Sequence, residues 1–235
     1  MNLWVGTSGW SYKEWKGPFY PEDLPNDKML GFYSEHLSSV EVNNTFYRMP
    51  KREVLEAWSA QTPSEFSFVL KASRRITHQA KLGEGAADPL QFLLGNSEVL
   101  GEKRGPILFQ TPPWLKKDLD LLEAFLGLIP GEVKAAFEFR STSWFVDEVY
   151  ELLRRHGAAL VAADTGDEKK DPPLVVTAPF GYARLRRESY GEGLLESWAR
   201  RMSEAGWDEL WVFFKHEDEG AGPRLATRFR ALIES

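Results

Sequence analysis

Short apolar runs alternate with segments of helical periodicity along the whole chain. The runs predict strands over residues 3–7, 40–47, 65–71, 106–110, 135–140, 158–163, 182–185 and 210–214. Between them, apolar residues recur at helical spacing over 26–37, 52–61, 88–100, 118–127, 147–156, 192–205 and 221–233. Several boundaries carry their own chemistry. Asn26 or Asp27 caps the first helix, Asp88 caps the third with Pro89 at the first helical position, Asp118 starts the fourth and Gly157 closes the fifth. Only the connection after the sixth strand breaks the rule: the polar, Pro-containing stretch behind Asp164 leaves no room for a full helix before Leu174-Val175-Val176. The sixth crossover is therefore expected to be truncated.

Strands that alternate with helices pair in parallel, because each crossover helix returns the chain in the same direction. Eight such strands predict an α/β fold of the closed (β/α)8, TIM-type barrel class, one domain over residues 1–235. An open doubly wound sheet is the rival, but it usually carries a Gly-rich phosphate turn after its first strand, and Gly6-Thr7-Ser8-Gly9 is not one. Within the strands a second alternation appears. Val40 and Val42 point one way, Glu41 and Asn43 the other; Phe66, Phe68 and Leu70 share one face, Ser67, Val69 and Lys71 the opposite one.

Composition narrows the class. A formal net charge of −6 argues against general affinity for nucleic acid or membrane surfaces, so any polyanion needs a focused site. The absence of Cys removes disulfides and thiolate metal sites. No run approaches the length of a membrane span, and residues 3–5 follow directly on the first Met without a leader-like segment, so a soluble, cytoplasmic protein is expected.

In a barrel the carboxyl ends of the strands converge on the active site. The polar groups there are Ser8, Glu41, Asn43, Asn44, Lys71, Gln110, Glu138, Arg140, Asp164 and Arg184, with Lys215 or His216 at the last strand. Charged side chains do not go inside unpaired, so these groups must meet each other, water or a ligand. Glu41, Glu138 and Asp164 are the candidate catalytic acids, Lys71, Arg140 and Arg184 the candidate anion holders. Arg75 and His78, just behind the third strand, are candidate phosphate contacts. Trp10, Tyr12, Trp15, Phe46, Tyr47, Trp114 and Trp144 also lie past strand ends, where rings either roof the barrel or stack on a sugar or base. Trp58, Trp198, Trp207 and Trp211 fall on helices or the last strand and read as core.

Gly6-Thr7-Ser8-Gly9-Trp10-Ser11-Tyr12, with Trp15 and Phe19-Tyr20-Pro21, resembles the opening of the YecE-like family, also called domain of unknown function 72. The resemblance continues through residues 40–47, 71–78, 108–113, Glu138-Phe139-Arg140 with Ser143-Trp144, Asp164 and Tyr182-Ala183-Arg184-Leu185, in order along the chain. It implies a TIM-type barrel and no settled activity. Two places depart from the family pattern. Arg186-Arg187 stand where His-Gly is usual, and Lys215-His216 where Asn-Asn is usual, which makes those strand ends more basic.

These residues point to an enzyme, a hydrolase or isomerase, acting on a small anionic ligand such as a sugar phosphate or nucleotide. A non-catalytic nucleic-acid or nucleotide binding protein is the alternative, and a purely structural salt-bridge network is a third reading. No cofactor is expected. A divalent metal on His78, His216, Glu41, Glu138 or Asp164 is the weaker option, because interleaved Lys and Arg compete for the carboxylates.

Overall fold

In the computed structural model eight parallel strands close on themselves in sequence order, each paired with its neighbours and the last with the first. The structure describes residues 1–167, 169–187, 189–215 and 218–235. The strands are β1 (Asn2–Ser8), β2 (Ser39–Val42), β3 (Ser67–Lys71), β4 (Arg104–Gln110), β5 (Ala135–Glu138), β6 (Ala159–Asp164), β7 (Phe180–Leu185) and β8 (Glu209–Phe214). Around them run α1 (Met29–His36), α2 (Arg52–Ala60), α3 (Ala87–Ser97), α4 (Leu119–Leu126), α5 (Asp147–Arg155), α6 (Glu192–Ser203) and α7 (Ala221–Glu234). Among the described residues no helix joins β6 to β7, as the polar stretch behind Asp164 predicts.

Two apolar layers follow from strand alternation. Side chains such as Val40, Val42, Phe68, Leu70, Phe109 and Phe137 face the helices. Val69, Leu108, Ala136, Val161, Tyr182 and Phe213 fill the barrel interior, which Trp4 and Trp211 close at the amino end with rings stacked 4.3 Å apart. Each fully buried Leu or Phe contributes about 1.5–3 kcal/mol to this packing. Gly6 marks the tightest approach: a Cβ there would lie 1.8 Å from the Ser39 carbonyl oxygen.

Local chemistry shifts several boundaries. The second strand stops at Val42, because Asn43 turns into right-handed helical backbone and leads a 3-10 turn over Asn44–Phe46. The fifth strand likewise stops at Glu138, leaving Arg140 exposed just beyond it. Asp88 is not a cap. The third helix starts at Ala87 behind a 3-10 turn, and Pro89 still sits in its first turn, where a backbone N–H has no intrahelical partner to lose. Neither Asn26 nor Asp27 caps the first helix, since both lie inside a 3-10 turn that precedes it. Asp118 does cap: its Oδ1 accepts from the Leu121 N–H at 3.0 Å.

No described helix is long and apolar enough to cross a membrane.

Candidate functional site

The alternation that fills the barrel with apolar side chains continues to the carboxyl ends of the strands, where the inward positions become polar. Ser8, Lys71, Gln110, Glu138 and Arg184 share parity with inward core residues of their own strands, and Glu41 alternates with the outward Val40 and Val42. Register then brings them side by side. Ser8 pairs with Glu41 and Gln110 with Glu138 across adjacent strands.

Arg184, only 2% exposed, is the hub. Its Nη2 donates to Glu41 Oε1 at 2.7 Å and its Nη1 donates to Glu138 Oε2. Glu41 also accepts from Ser8 Oγ at 2.7 Å, Tyr182 OH at 2.6 Å and Asn43 Nδ2 at 3.3 Å. Glu138 accepts further from Gln110 Nε2 at 2.9 Å and Arg186 Nη2 at 2.5 Å. Burial opposes ionisation of both carboxyls, yet the Arg184 charge and these donors win. Both are held below the usual carboxylate range, Glu138 with added help from Arg186. The same carboxylates raise the Arg184 pKa against its own burial. Burial and the adjacent Glu41 push the Tyr182 hydroxyl well up, so it stays a neutral donor.

Gln110 relays this order to Lys71. Because a carboxylate only accepts, the Gln110 NH2 faces Glu138 and its Oε1 faces Lys71 Nζ, which donates to it at 2.8 Å. Lys71 Nζ also sits 4.5 Å from the Phe46 ring centroid. Burial, with the Arg184 charge next, pushes the Lys71 ammonium down to about 8.

Above the ion pairs opens a cavity of about 360 Å3 whose lining includes Tyr12, Asn43, Tyr47 and Gln110. Lys71, Arg140, Arg184, Arg186 and Lys215 also line it, and among the described residues no carboxylate does. Among the described residues here, five cations meet the two buried carboxylates Glu41 and Glu138, in a chain whose net charge is −6. The Nε atoms of Arg184 and Arg186 are buried without a hydrogen-bond partner. A second cavity of about 270 Å3 lies beside it, lined in part by Glu138, Arg140, Arg186, Asp167, Lys170 and Asp171.

Other predicted residues fall elsewhere. Asp164 has the parity of Leu160 and Ala162, which face the helices, so it points out of the barrel. There it accepts from Trp198 Nε1 at 2.9 Å, Arg187 Nε at 3.1 Å and the Gly166 N–H at 3.1 Å, away from Glu41 and Glu138. Trp198 is thus an anchor for Asp164 as well as a core ring. Trp144 is fully buried, stacked 4.5 Å from Phe139, and its Nε1 donates to the Leu115 carbonyl; it faces neither cavity. Trp10 packs edge-on against Trp58 at 5.2 Å, and Asn44 is exposed on its turn. Arg75 is exposed on the π-type turn Arg75–Gln79, and it lines neither cavity. His78, half-buried on the same turn, lies edge-on to Phe46 at 4.9 Å and to Trp114 at 6.0 Å; burial first, then Lys71 and Arg140, lower its pKa. His216 lies outside the described residues. Among the described residues no three His, Asp or Glu side chains converge as a metal set.

Tyr182 belongs to the site although it was not among the polar strand-end residues, and so does Arg186, which the sequence marks only as making the seventh strand end more basic. Their signal was present: Tyr182, Arg184 and Arg186 occupy alternate positions on one strand and its extension.

The family model described as "Protein of unknown function DUF72" matches residues 4–235. The chain belongs to that family. The UPF0759 protein YunF of Bacillus subtilis (strain 168) is 29% identical over 157 residues, 63% of this chain and 54% of YunF. The UPF0759 protein YecE of Escherichia coli (strain K12) is 30% identical over 156 residues, 66% of this chain and 54% of YecE. The aligned region thus spans about half the length of these curated relatives. A crystal structure of a DUF72 family protein from Thermotoga maritima MSB8 superposes with a TM-score of 0.84 at 27% identity, covering 100% of both chains.

Proposed function

We propose that the barrel mouth of this DUF72 member binds a small anionic ligand, such as a sugar phosphate or nucleotide, and that the protein is a hydrolase or isomerase acting on it. One observation carries this: five cations from the ends of four strands line one cavity with no carboxylate among the described lining residues, in an otherwise acidic chain. Such a focused positive field draws an anion and holds it, and the Arg side chains offer forked donors to its oxygens.

Within this reading Glu41 and Glu138 orient Arg184 rather than exchange protons, because a carboxylate held below its usual range is a weak base. Lys71 is the better proton carrier. Its pKa of about 8 lets it donate near neutrality and accept slightly above it, and it stands in the cavity where the anion would sit.

The test is calorimetric titration with inorganic phosphate at low salt, followed by a turnover screen against sugar phosphates and nucleotides. Lys71→Met should weaken phosphate binding by about tenfold, or about 1.4 kcal/mol, and abolish turnover. Wild-type binding should also fall as pH rises through about 8, and Lys71→Arg should remove that step. Absence of phosphate binding, or a Lys71→Met variant with wild-type affinity, refutes the proposal.

The binding-protein alternative has its own support. Tyr47 and Trp114 are 68% and 63% exposed at the rim, joined through Phe46 and His78 in an edge-to-face file next to exposed Arg74 and Arg75. Exposed rings beside cations are the means by which single-stranded nucleic acid is held. Tight, steeply salt-dependent oligonucleotide binding without turnover of any small ligand would favour it.

A further inference from the structure

The two cavities at the barrel mouth share a wall and differ in charge. Arg140 and Arg186 line both. Beyond that wall, the larger cavity presents Lys71, Arg184 and Lys215 and, among the described residues, no carboxylate. The smaller one presents Asp167, Lys170 and Asp171, with Glu138 beneath the wall and already paired to Arg184 and Arg186. Lys170 is already paired with Asp167 at 2.5 Å, while Asp171 accepts from the Thr165 N–H and hydroxyl and is in no ion pair among the described residues. One cavity is therefore built for an anion. The other has spare carboxylate acceptor sites and a net negative far side, which suits hydroxyl donors and repels a second anion.

We infer that the ligand is a phosphorylated polyol, with its phosphate in the Lys71–Lys215 cavity and its hydroxyl-bearing chain crossing the Arg140–Arg186 wall to Asp167 and Asp171. This rests on the anion site proposed above and narrows it. A nucleic-acid strand would carry successive phosphates through both cavities, against the charge of the second. A free phosphate would leave the second cavity unused. A sugar phosphate matches both halves, and the larger cavity alone, about 360 Å3, is at the low end of what small-ligand sites span, roughly 300–1,000 Å3. The two guanidiniums at the wall then face the ester oxygen and the nearer phosphate oxygens, where Arg140 is exposed and in no hydrogen bond or ion pair among the described residues.

The experiment is calorimetric titration of the full chain at pH 7.5 with inorganic phosphate, D-ribose, D-ribose 5-phosphate, D-ribose 1,5-bisphosphate and a short oligodeoxynucleotide. It is repeated on Asp167→Asn, on Asp171→Asn and on the double variant, each checked for an unchanged melting temperature. Ribose 5-phosphate should bind about tenfold or more tighter than inorganic phosphate, with ribose silent. In the double variant that advantage should shrink to less than about threefold, while inorganic phosphate keeps its affinity within about twofold. The bisphosphate should bind more weakly than ribose 5-phosphate to the wild type and recover in the double variant. Ribose 5-phosphate no tighter than inorganic phosphate, an advantage that survives in the double variant, or tightest binding by the bisphosphate or the oligonucleotide would each overturn the inference while leaving the anion site intact. If either Asp171 variant loosens the loop, Asp167→Asn alone must still reduce the ribose advantage. No phosphate binding at all would remove the anion site and this inference together.

Discussion

Replacing Arg184 by Met isolates the electrostatics at the centre of the site. Met retains much of the side-chain length but none of the charge, so Glu138 keeps Arg186 and Gln110 while Glu41 keeps only the neutral donors Ser8, Tyr182 and Asn43. Glu41 is completely buried. Removing one partner of a buried pair costs about 3–5 kcal/mol, chiefly because the other charge is stranded. For a chain of this size about 2–4 °C accompanies each kcal/mol, so the melting temperature should fall by about 6–20 °C near neutral pH. The pH dependence has a definite sign. In the wild type both carboxyls have lowered pKa values, so their contribution is present above their unfolded pKa and is lost as pH falls through the folded one. In Arg184→Met, burial acts on Glu41 without the guanidinium and raises its pKa, so the variant loses stability as pH rises above the unfolded value. The gap between the two proteins should be widest at pH 7–8 and narrow towards pH 4–5. Adding Glu41→Gln should then recover a large part of the loss. Thermal melts at several pH values on the four proteins of this double-mutant cycle measure it directly. A gap that does not change with pH, or an Arg184→Met/Glu41→Gln protein no more stable than Arg184→Met, would refute the reasoning.

Asp164→Asn should reduce stability by about 1–3 kcal/mol, since it weakens the bonds from Trp198 and Arg187, while phosphate affinity at the mouth stays within about twofold; loss of binding with an intact melt would place Asp164 in the chamber after all. Gly6→Ala should cost at least about 1–3 kcal/mol by thermal melt, because the added Cβ lies 1.8 Å from a backbone oxygen that has little room to move. Trp144→Phe keeps the ring stack on Phe139 but strands the Leu115 carbonyl, and should cost about 1 kcal/mol or more without altering titration of the mouth.

A closed barrel turns the odd or even position of a strand residue into inside or outside, and that conversion decides what the sequence made legible. Where the two faces of a strand differ, the placement follows from alternation: Phe137 out and Glu138 in, Val40 out and Glu41 in, Leu70 out and Lys71 in. In the sixth strand both faces are small or aliphatic, Ala159, Val161 and Ala163 against Leu160 and Ala162, so nothing in the pattern says which way Asp164 points. Its direction comes from the register against Leu185 and from the Trp198 indole on α6, neither of which is a local property. The same limit applies to Trp144, whose inward turn depends on a carbonyl 29 residues away. Arg186 shows the reverse case. Parity with Tyr182 and Arg184 already pointed it into the mouth, but only as a continuation past the end of a strand, where alternation normally stops. The excess of positive charge could not be read from composition, because a chain with net charge −6 conceals it until Lys71, Arg140, Arg184, Arg186 and Lys215 are drawn together from the ends of four strands. Arg186 and Lys215, just past the seventh and eighth strands, are among those five, so a ligand chosen by that charge follows from these side chains and not from the barrel alone.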